Sequence, residues 1–180
     1  MKAILPALAA LTLAASPADA QHAVGFRYGR GDGTARYNIA EMNGRYQVIS
    51  RVYITAIAQF IGGNWACTSS PVDLIRCNYD GTTVGLGAAV APIDSRRVFV
   101  ALNAGFGGFF RKNVRTRGYR RWTGSIGADA EFAIWDPIRL QVGYARRKMF
   151  DGEYRELVGV DPHFTSITAG LTLILGPRRD

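Results

Sequence analysis

The run from 121 to 134 constrains this chain most. Trp122, Ile126, Ala128, Ala130, Phe132 and Ile134 share one parity, and Thr123, Ser125, Gly127, Asp129 and Glu131 share the other. A period of two is a β-strand with two unlike faces. Two acids in mid-strand, behind so apolar a face, need water or a polar lumen. A soluble sandwich would rarely carry them unless that face met solvent. A barrel in lipid needs the pattern, with apolar side chains outside and polar ones within.

Other runs repeat it. Residues 163–175 set Ile167, Ala169, Leu171, Leu173 and Leu175 against Ser166, Thr168, Gly170 and Thr172. Residues 138–150 set Ile138, Leu140, Val142 and Tyr144 against Arg139, Gln141 and Gly143. In 97–110, Val98, Val100, Leu102, Ala104, Phe106 and Phe110 point outward, with Asn103 and several glycines inward. In 82–91, Val84, Leu86, Ala88 and Val90 alternate with Thr83, Gly85 and Gly87. Residues 45–60 carry Tyr46, Val48, Val52, Ile54, Ala56 and Phe60 outward, and Arg45, Gln47, Arg51, Tyr53, Thr55 and Gln59 inward. Asn43-Gly44 predicts a hairpin turn, preceded by 34–43, with Tyr37 and Ile39 outward, and by 22–30.

The total is eight strands, and the expected fold class is all-β: an eight-stranded antiparallel up-and-down transmembrane β-barrel. The connections alternate in length, so every tight turn falls on one side with both termini. Outer-membrane barrels have short periplasmic turns and longer external loops. Tyr28, Phe60, Phe110, Tyr119, Trp122 and Phe150 would form an outer aromatic girdle, with Tyr46 and Trp135 at the inner rim. The parity also sends Ser50 to lipid and Ile49, Ile57 and Phe99 to the lumen, which predicts a bulge or a shifted register.

The N-terminal stretch, 1–20, has Lys2, an apolar run from Ala3 to Ala15 and Ala18-Asp19-Ala20. That is the layout of a secretory signal peptide cut before Gln21, and the run is too short to anchor in a bilayer. The remaining 21–180 is one domain's length. It keeps the net charge of +8, because the leader carries one Lys and one Asp. The expected location is the outer membrane of a Gram-negative bacterium. A basic exported chain points to anionic surfaces such as lipopolysaccharide, and nucleic acid is not expected as a partner.

Cys67 and Cys77 are expected to form one disulfide in an oxidising compartment. They and the separated His22 and His163 give no plausible metal-ligand set, so neither metal nor cofactor is expected. The segment 111–121 holds Arg111, Lys112, Arg115, Arg117, Arg120 and Arg121 with no acid among them. At an external rim these cations would meet lipopolysaccharide phosphates, which Arg binds well through its planar fork; the bland alternative is a solvated basic loop. Arg146, Arg147 and Lys148 reach the same rim. Inside, Asp129 and Glu131 face Arg27, Arg36, Arg45, Arg51 and Arg139, which predicts a salt-bridge network closing the pore. Arg30-Gly31-Asp32 matches an integrin tripeptide, but a tight turn explains it more simply.

The chain resembles the small eight-stranded outer-membrane barrels typified by the OmpA transmembrane domain and the opacity-type surface proteins, over essentially all of 21–175. Members end in a signal read by the barrel-assembly machinery, and Thr168, Gly170, Leu173 and Leu175 match it. Leu175 stands where such proteins usually finish on an aromatic residue, and five further residues follow. The resemblance implies a non-enzymatic barrel with a structural or surface-interaction role, expected to be a monomer. Some barrels of this size are lipid A deacylases with a His-x-Ser on a strand; here His163-Phe164-Thr165 departs from it, with no Glu downstream. A lipid A hydrolase using His163 and a soluble, secreted barrel for a small apolar ligand stay open as alternatives.

Overall fold

A computed structural model of the protein describes residues 21–32, 36–68, 74–111, 119–150 and 163–176. At 36, 63–68, 74–80, 111, 119–120 and 163 it is the backbone alone that is described. The expected signal peptide, 1–20, lies outside these residues.

Eight strands run β1 His22–Asp32, β2 Arg36–Ile49, β3 Val52–Thr68, β4 Leu74–Asp94, β5 Val98–Arg111, β6 Tyr119–Trp135, β7 Ile138–Met149 and β8 His163–Leu175. Each pairs antiparallel with its sequence neighbours, and β1 pairs with β8 to close the barrel. Val24 lies opposite Leu173 and Arg27 opposite Gly170 at this seam. The short connections at 50–51, 95–97 and 136–137 lie at one end with both strand-bearing termini, here the turn end. The other four connections define the loop end.

Polarity is inverted relative to a soluble barrel. On β6, Ile126 is 63 % exposed while Glu131 is 0 % exposed. Leu86, Leu102, Ile167 and Leu171 also stand on the outside, and Gln59, Gln141, Thr168 and Thr172 are buried. The inside is not uniformly polar. Tyr37, Ile39, Ile61, Phe109, Met149 and Phe164 make an apolar plug toward the loop end. Tyr53, Ala89, Ala91, Phe99 and Ala101 make a second toward the turn end. Both contain an edge-to-face ring pair, Tyr37–Phe164 at 5.3 Å and Tyr53–Phe99 at 5.4 Å.

The strand count holds, but the first hairpins differ from expectation. Asn43 and Gly44 are not a turn. Asn43 lies between Gly25 of β1 and Ile57 of β3, and Gly44 between Val24 and Ala56. A turn there would forfeit hydrogen-bonded ladders on both sides, and a local dipeptide preference does not outweigh two ladders. The chain reverses at Ser50-Arg51 instead, where Arg51 takes a φ of 62°. Arg51 is therefore an exposed turn residue and no part of the lumen.

The same shift corrects Tyr37 and Ile39. With β2 unbroken, its odd positions share one face, so Arg45 and Gln47 inside require Tyr37 and Ile39 inside as well. Tyr37 lies over Gly31, where any Cβ would strike its ring. Arg30, Gly31 and Asp32 are strand residues of β1, not a turn.

The register shifts at Gln47/Ile49, Val90/Ile93 and Ala133/Trp135, all at the turn end. The first of these leaves Ile49 exposed, while Phe99 does face inward, into the plug. The stretch between the runs 45–60 and 82–91 is largely a hairpin: β3 and β4 stay paired from Gly63 with Tyr79 to Thr68 with Leu74. β2 leaves β3 at Gly62, and β5 leaves β4 at Thr82, so this hairpin stands beyond the rim. Cys67 is opposite Ile75 and Cys77 opposite Trp65. The disulfide itself falls on side chains outside the described residues.

Aromatic side chains mark both ends. Tyr28, Phe60, Phe110, Trp122 and Phe150 are exposed toward the loop end, and Trp135 is exposed at the turn end. Tyr46 stacks on His22 at 4.5 Å near that same end.

Candidate functional site in the charged lumen

Between the two plugs, seven strands bring charged and polar side chains together. Arg27 of β1 shares a rung with Glu41 of β2. Its Nε donates to Glu41 Oε1 at 2.5 Å, and its Nη1 pairs with Asp129 of β6. Asp129 also accepts from Asn103 Nδ2 of β5 at 2.7 Å. Glu41 accepts from Gln59 Nε2 of β3 and from Arg147 Nη2 of β7 at 3.4 Å. Arg147 Nη1 donates to Ser166 Oγ of β8 at 2.9 Å.

A second cluster lies closer to the turn end. Arg45 forks onto both carboxylate oxygens of Glu131, with Nη2 to Oε2 at 2.9 Å. Arg139 Nη1 is 3.8 Å from Glu131 Oε2. Its Nη2 donates to the carbonyls of Ser95 and Arg96, each at 3.3 Å, tying the network to the β4–β5 turn. The Arg45 guanidinium also lies 4.0 Å from the Phe99 ring centroid, so the cation rests on the plug. Just below, the Tyr53 hydroxyl donates to Asp94 Oδ2 at 2.5 Å.

The sequence places Arg27, Arg36, Arg45, Arg51, Asp129, Glu131 and Arg139 in one network. Arg27 meets Asp129 in the first cluster, and Arg45 and Arg139 meet Glu131 in the second. Arg51 does not join the network, and the Arg36 side chain lies outside the described residues. Glu41 and Arg147 join it without being expected. Glu41 follows from the unbroken β2, on the face of Arg45 and Gln47. The sequence reading sets Arg147 at the rim with Arg146 and Lys148. Alternation on β7 puts it on the face of Arg139 and Gln141, and it is 3 % exposed. Its two neighbours are exposed on the outside.

One glycine is required by the network. Gly143 of β7 shares a rung with Asp129. A Cβ there would collide with the Arg27 guanidinium and with the Asp129 carboxylate. Gly85, Gly87, Gly105 and Gly107, which have no side chains to fill the lumen, line a cavity of about 60 Å³ facing Arg27, Asp129 and Arg147. That space suits about two waters, at about 30 Å³ of liquid volume each. Ion pairs and plugs together fill an interior that eight strands make just wide enough for side chains.

The other expected sites divide. Of the basic segment, Lys112, Arg115 and Arg117 lie outside the described residues. Arg111 ends β5 opposite Tyr119, and Arg120 is opposite Phe110. Arg121 shares the rung of the buried Phe109, so period two turns it to the lumenal side, away from lipid. On β8, Thr168 and Gly170 are lumenal, and Leu173 and Leu175 are outward. His22 begins β1 at the turn end and His163 begins β8 at the loop end, so they share no site. The His163 side chain lies outside the described residues.

No family model matches the chain, and no curated protein matches its sequence. Solved structures do match. Neisserial surface protein A superposes with a TM-score of 0.61 at 10 % identity, over 86 % of this chain and 96 % of that one. A major outer membrane protein from Thermus thermophilus gives 0.58 at 11 % identity, over 87 % and 99 %. The N-terminal β-barrel domain of Pseudomonas aeruginosa OprF gives 0.57 at 9 % identity, over 85 % and 97 %. At such identities the likeness is one of architecture: the chain has the fold of the small eight-stranded outer-membrane barrels.

Proposed function

We propose that this chain is a non-enzymatic integral barrel of the Gram-negative outer membrane, with a structural or surface-interaction role and with lipopolysaccharide as its contact at the loop end. One observation carries the reading: a closed barrel whose outside is apolar and whose inside is filled by buried ion pairs. Closure pairs the backbone groups within the sheet, which lipid demands. A soluble barrel for an apolar ligand would need the opposite distribution. On this reading 1–20 is a cleaved leader, the tight turns are periplasmic, and the closing strand with Thr168, Gly170, Leu173 and Leu175 is presented to the assembly machinery. The basic segment from Arg111 to Arg120 then lies outside, near phosphates, while Arg121 turns to the lumenal side.

Membrane fractionation with gel mobility before and after boiling tests it. The chain is expected in the outer membrane, migrating differently when unheated. Recovery in the aqueous periplasm defeats the reading. Lipid A acylation is expected to be the same with wild type, with His163→Ala and without the protein; a change that depends on His163 defeats the non-enzymatic part.

A further inference from the structure

Arg147 turns into the lumen, but Arg146 and Lys148 stand exposed on the outer face of β7. Lys148 has Gly124 and His163 across its rung, and Arg146 has Ile126 and Thr165. None is an acid. The exposed Asp32 on Arg146's rung is one strand further on, beyond Thr165.

Their depth is what calls for a partner. The Phe150 N–H donates to the Trp122 carbonyl at 3.0 Å, so these two exposed aromatic residues sit at one level. Lys148 and Arg146 lie below that level toward the turn end, by about 7 and 13 Å along the strand at ~3.3 Å per residue. Aromatic girdles sit at headgroup depth. The two cations therefore start on the lipid side of the girdle, where an uncompensated charge is destabilising. Their long stems carry the charge up toward the headgroups.

The surroundings are shaped as well as charged. Phe106, Gly124 and Lys148 share a rung, and the Phe150 ring covers Gly124 between the Phe106 ring and the amine. Phe106 stacks on Trp122 at 5.1 Å, and Phe150 leans over Gly124 so closely that a Cβ would press on its ring. The wall beside and below Arg146 is apolar: Ile126 shares its rung, and Tyr144 and Ile167 lie further toward the turn end.

We infer that Arg146 and Lys148 form the phosphate site for one molecule of phosphorylated glycolipid, the lipid A portion of lipopolysaccharide. The sugar lies against Trp122 and Phe106, and acyl chains run along Ile126 and Ile167. Arg and Lys together match a phosphate, flat rings match a sugar face, and the wall matches the chains. This rests on the outer-membrane reading and moves the specific contact from the basic loop to the strand.

The test uses the full mature chain folded into phosphatidylcholine vesicles, alone and with added lipid A, dephosphorylated lipid A or phosphatidylglycerol. Lipid A is expected to raise the thermal midpoint by several degrees, and the other two additions are not. Arg146→Gln with Lys148→Gln is expected to abolish the rise, while Arg96→Gln, an exposed cation of the turn end, keeps it. An equal rise with phosphatidylglycerol, an equal rise in the double variant, or none in wild type overturns the site. A chain that inserts and shows heat-dependent mobility but no rise loses only this site. A chain that fails to insert loses the outer-membrane reading itself.

Discussion

Glu41 is the most connected acid among the described residues, holding Arg27, Arg147 and Gln59 from three other strands. Burying charges costs desolvation, and a pair recovers that cost only while both partners stay. Removing Glu41 leaves the buried Arg147 without an ion-pair partner among the described residues and leaves Arg27 with Asp129 alone. Glu41→Ala is expected to lower unfolding stability by about 3–5 kcal/mol, measured by urea unfolding in vesicles with tryptophan fluorescence. Arg96→Ala breaks the exposed pair with Asp136 at 3.4 Å and is expected to cost less than ~1 kcal/mol. Comparable losses for both would deny the lumenal network its structural role. Gly143→Val makes a complementary case: its side chain would occupy the space of the Arg27–Asp129 pair, and a loss of similar size is expected in the same assay.

At the scale of elements, the informative strand is β2. Asn43-Gly44 has the residue types of a tight hairpin, and only the ladders to β1 and β3 override it. Gly44 is not among the positive-φ glycines, and a Cβ there would meet nothing nearer than the Ala23 carbonyl at 3.8 Å. Gly44→Ala is therefore expected to be neutral or to stabilise by roughly 0.5–1 kcal/mol through backbone entropy. A clear loss would return the turn to 43–44. Strands β5 to β8 are legible in the sequence because their apolar faces alternate without interruption between tight turns. The first three are less so. Glu41 and Tyr37 lie in the half of β2 whose outward residues Asn38, Ala40 and Gly44 are small or polar. A turn assumed at 43–44 cuts that half off from the apolar Tyr46 and Val48 that share its outward parity. Arg147 is hidden differently: three consecutive cations read as one patch until alternation separates the middle one.

Over the whole molecule, eight strands and inverted polarity can be read from sequence, but the layering of the lumen cannot. Tyr53, Phe99, Ile39 and Phe109 are apolar residues on the polar face, and their gathering into two plugs depends on registers between distant strands. The plugs have a consequence for permeability. Phe99→Ala with Phe109→Ala is expected to give a small ionic conductance in planar bilayers where wild type gives none. A conducting wild type would contradict a lumen closed by plugs and ion pairs.

The central claim is which way each side chain faces, and accessibility of spin labels along β8 tests it most directly. In a chain with Cys67→Ser and Cys77→Ser, single cysteines are introduced in turn from 164 to 174, labelled, and folded into vesicles. Labels at Ile167, Ala169, Leu171 and Leu173 are expected to meet lipid-dissolved oxygen, and those at Ser166, Thr168 and Thr172 to be shielded from it, with a period of two. A reversed alternation, or oxygen access equal at every position, would contradict the account.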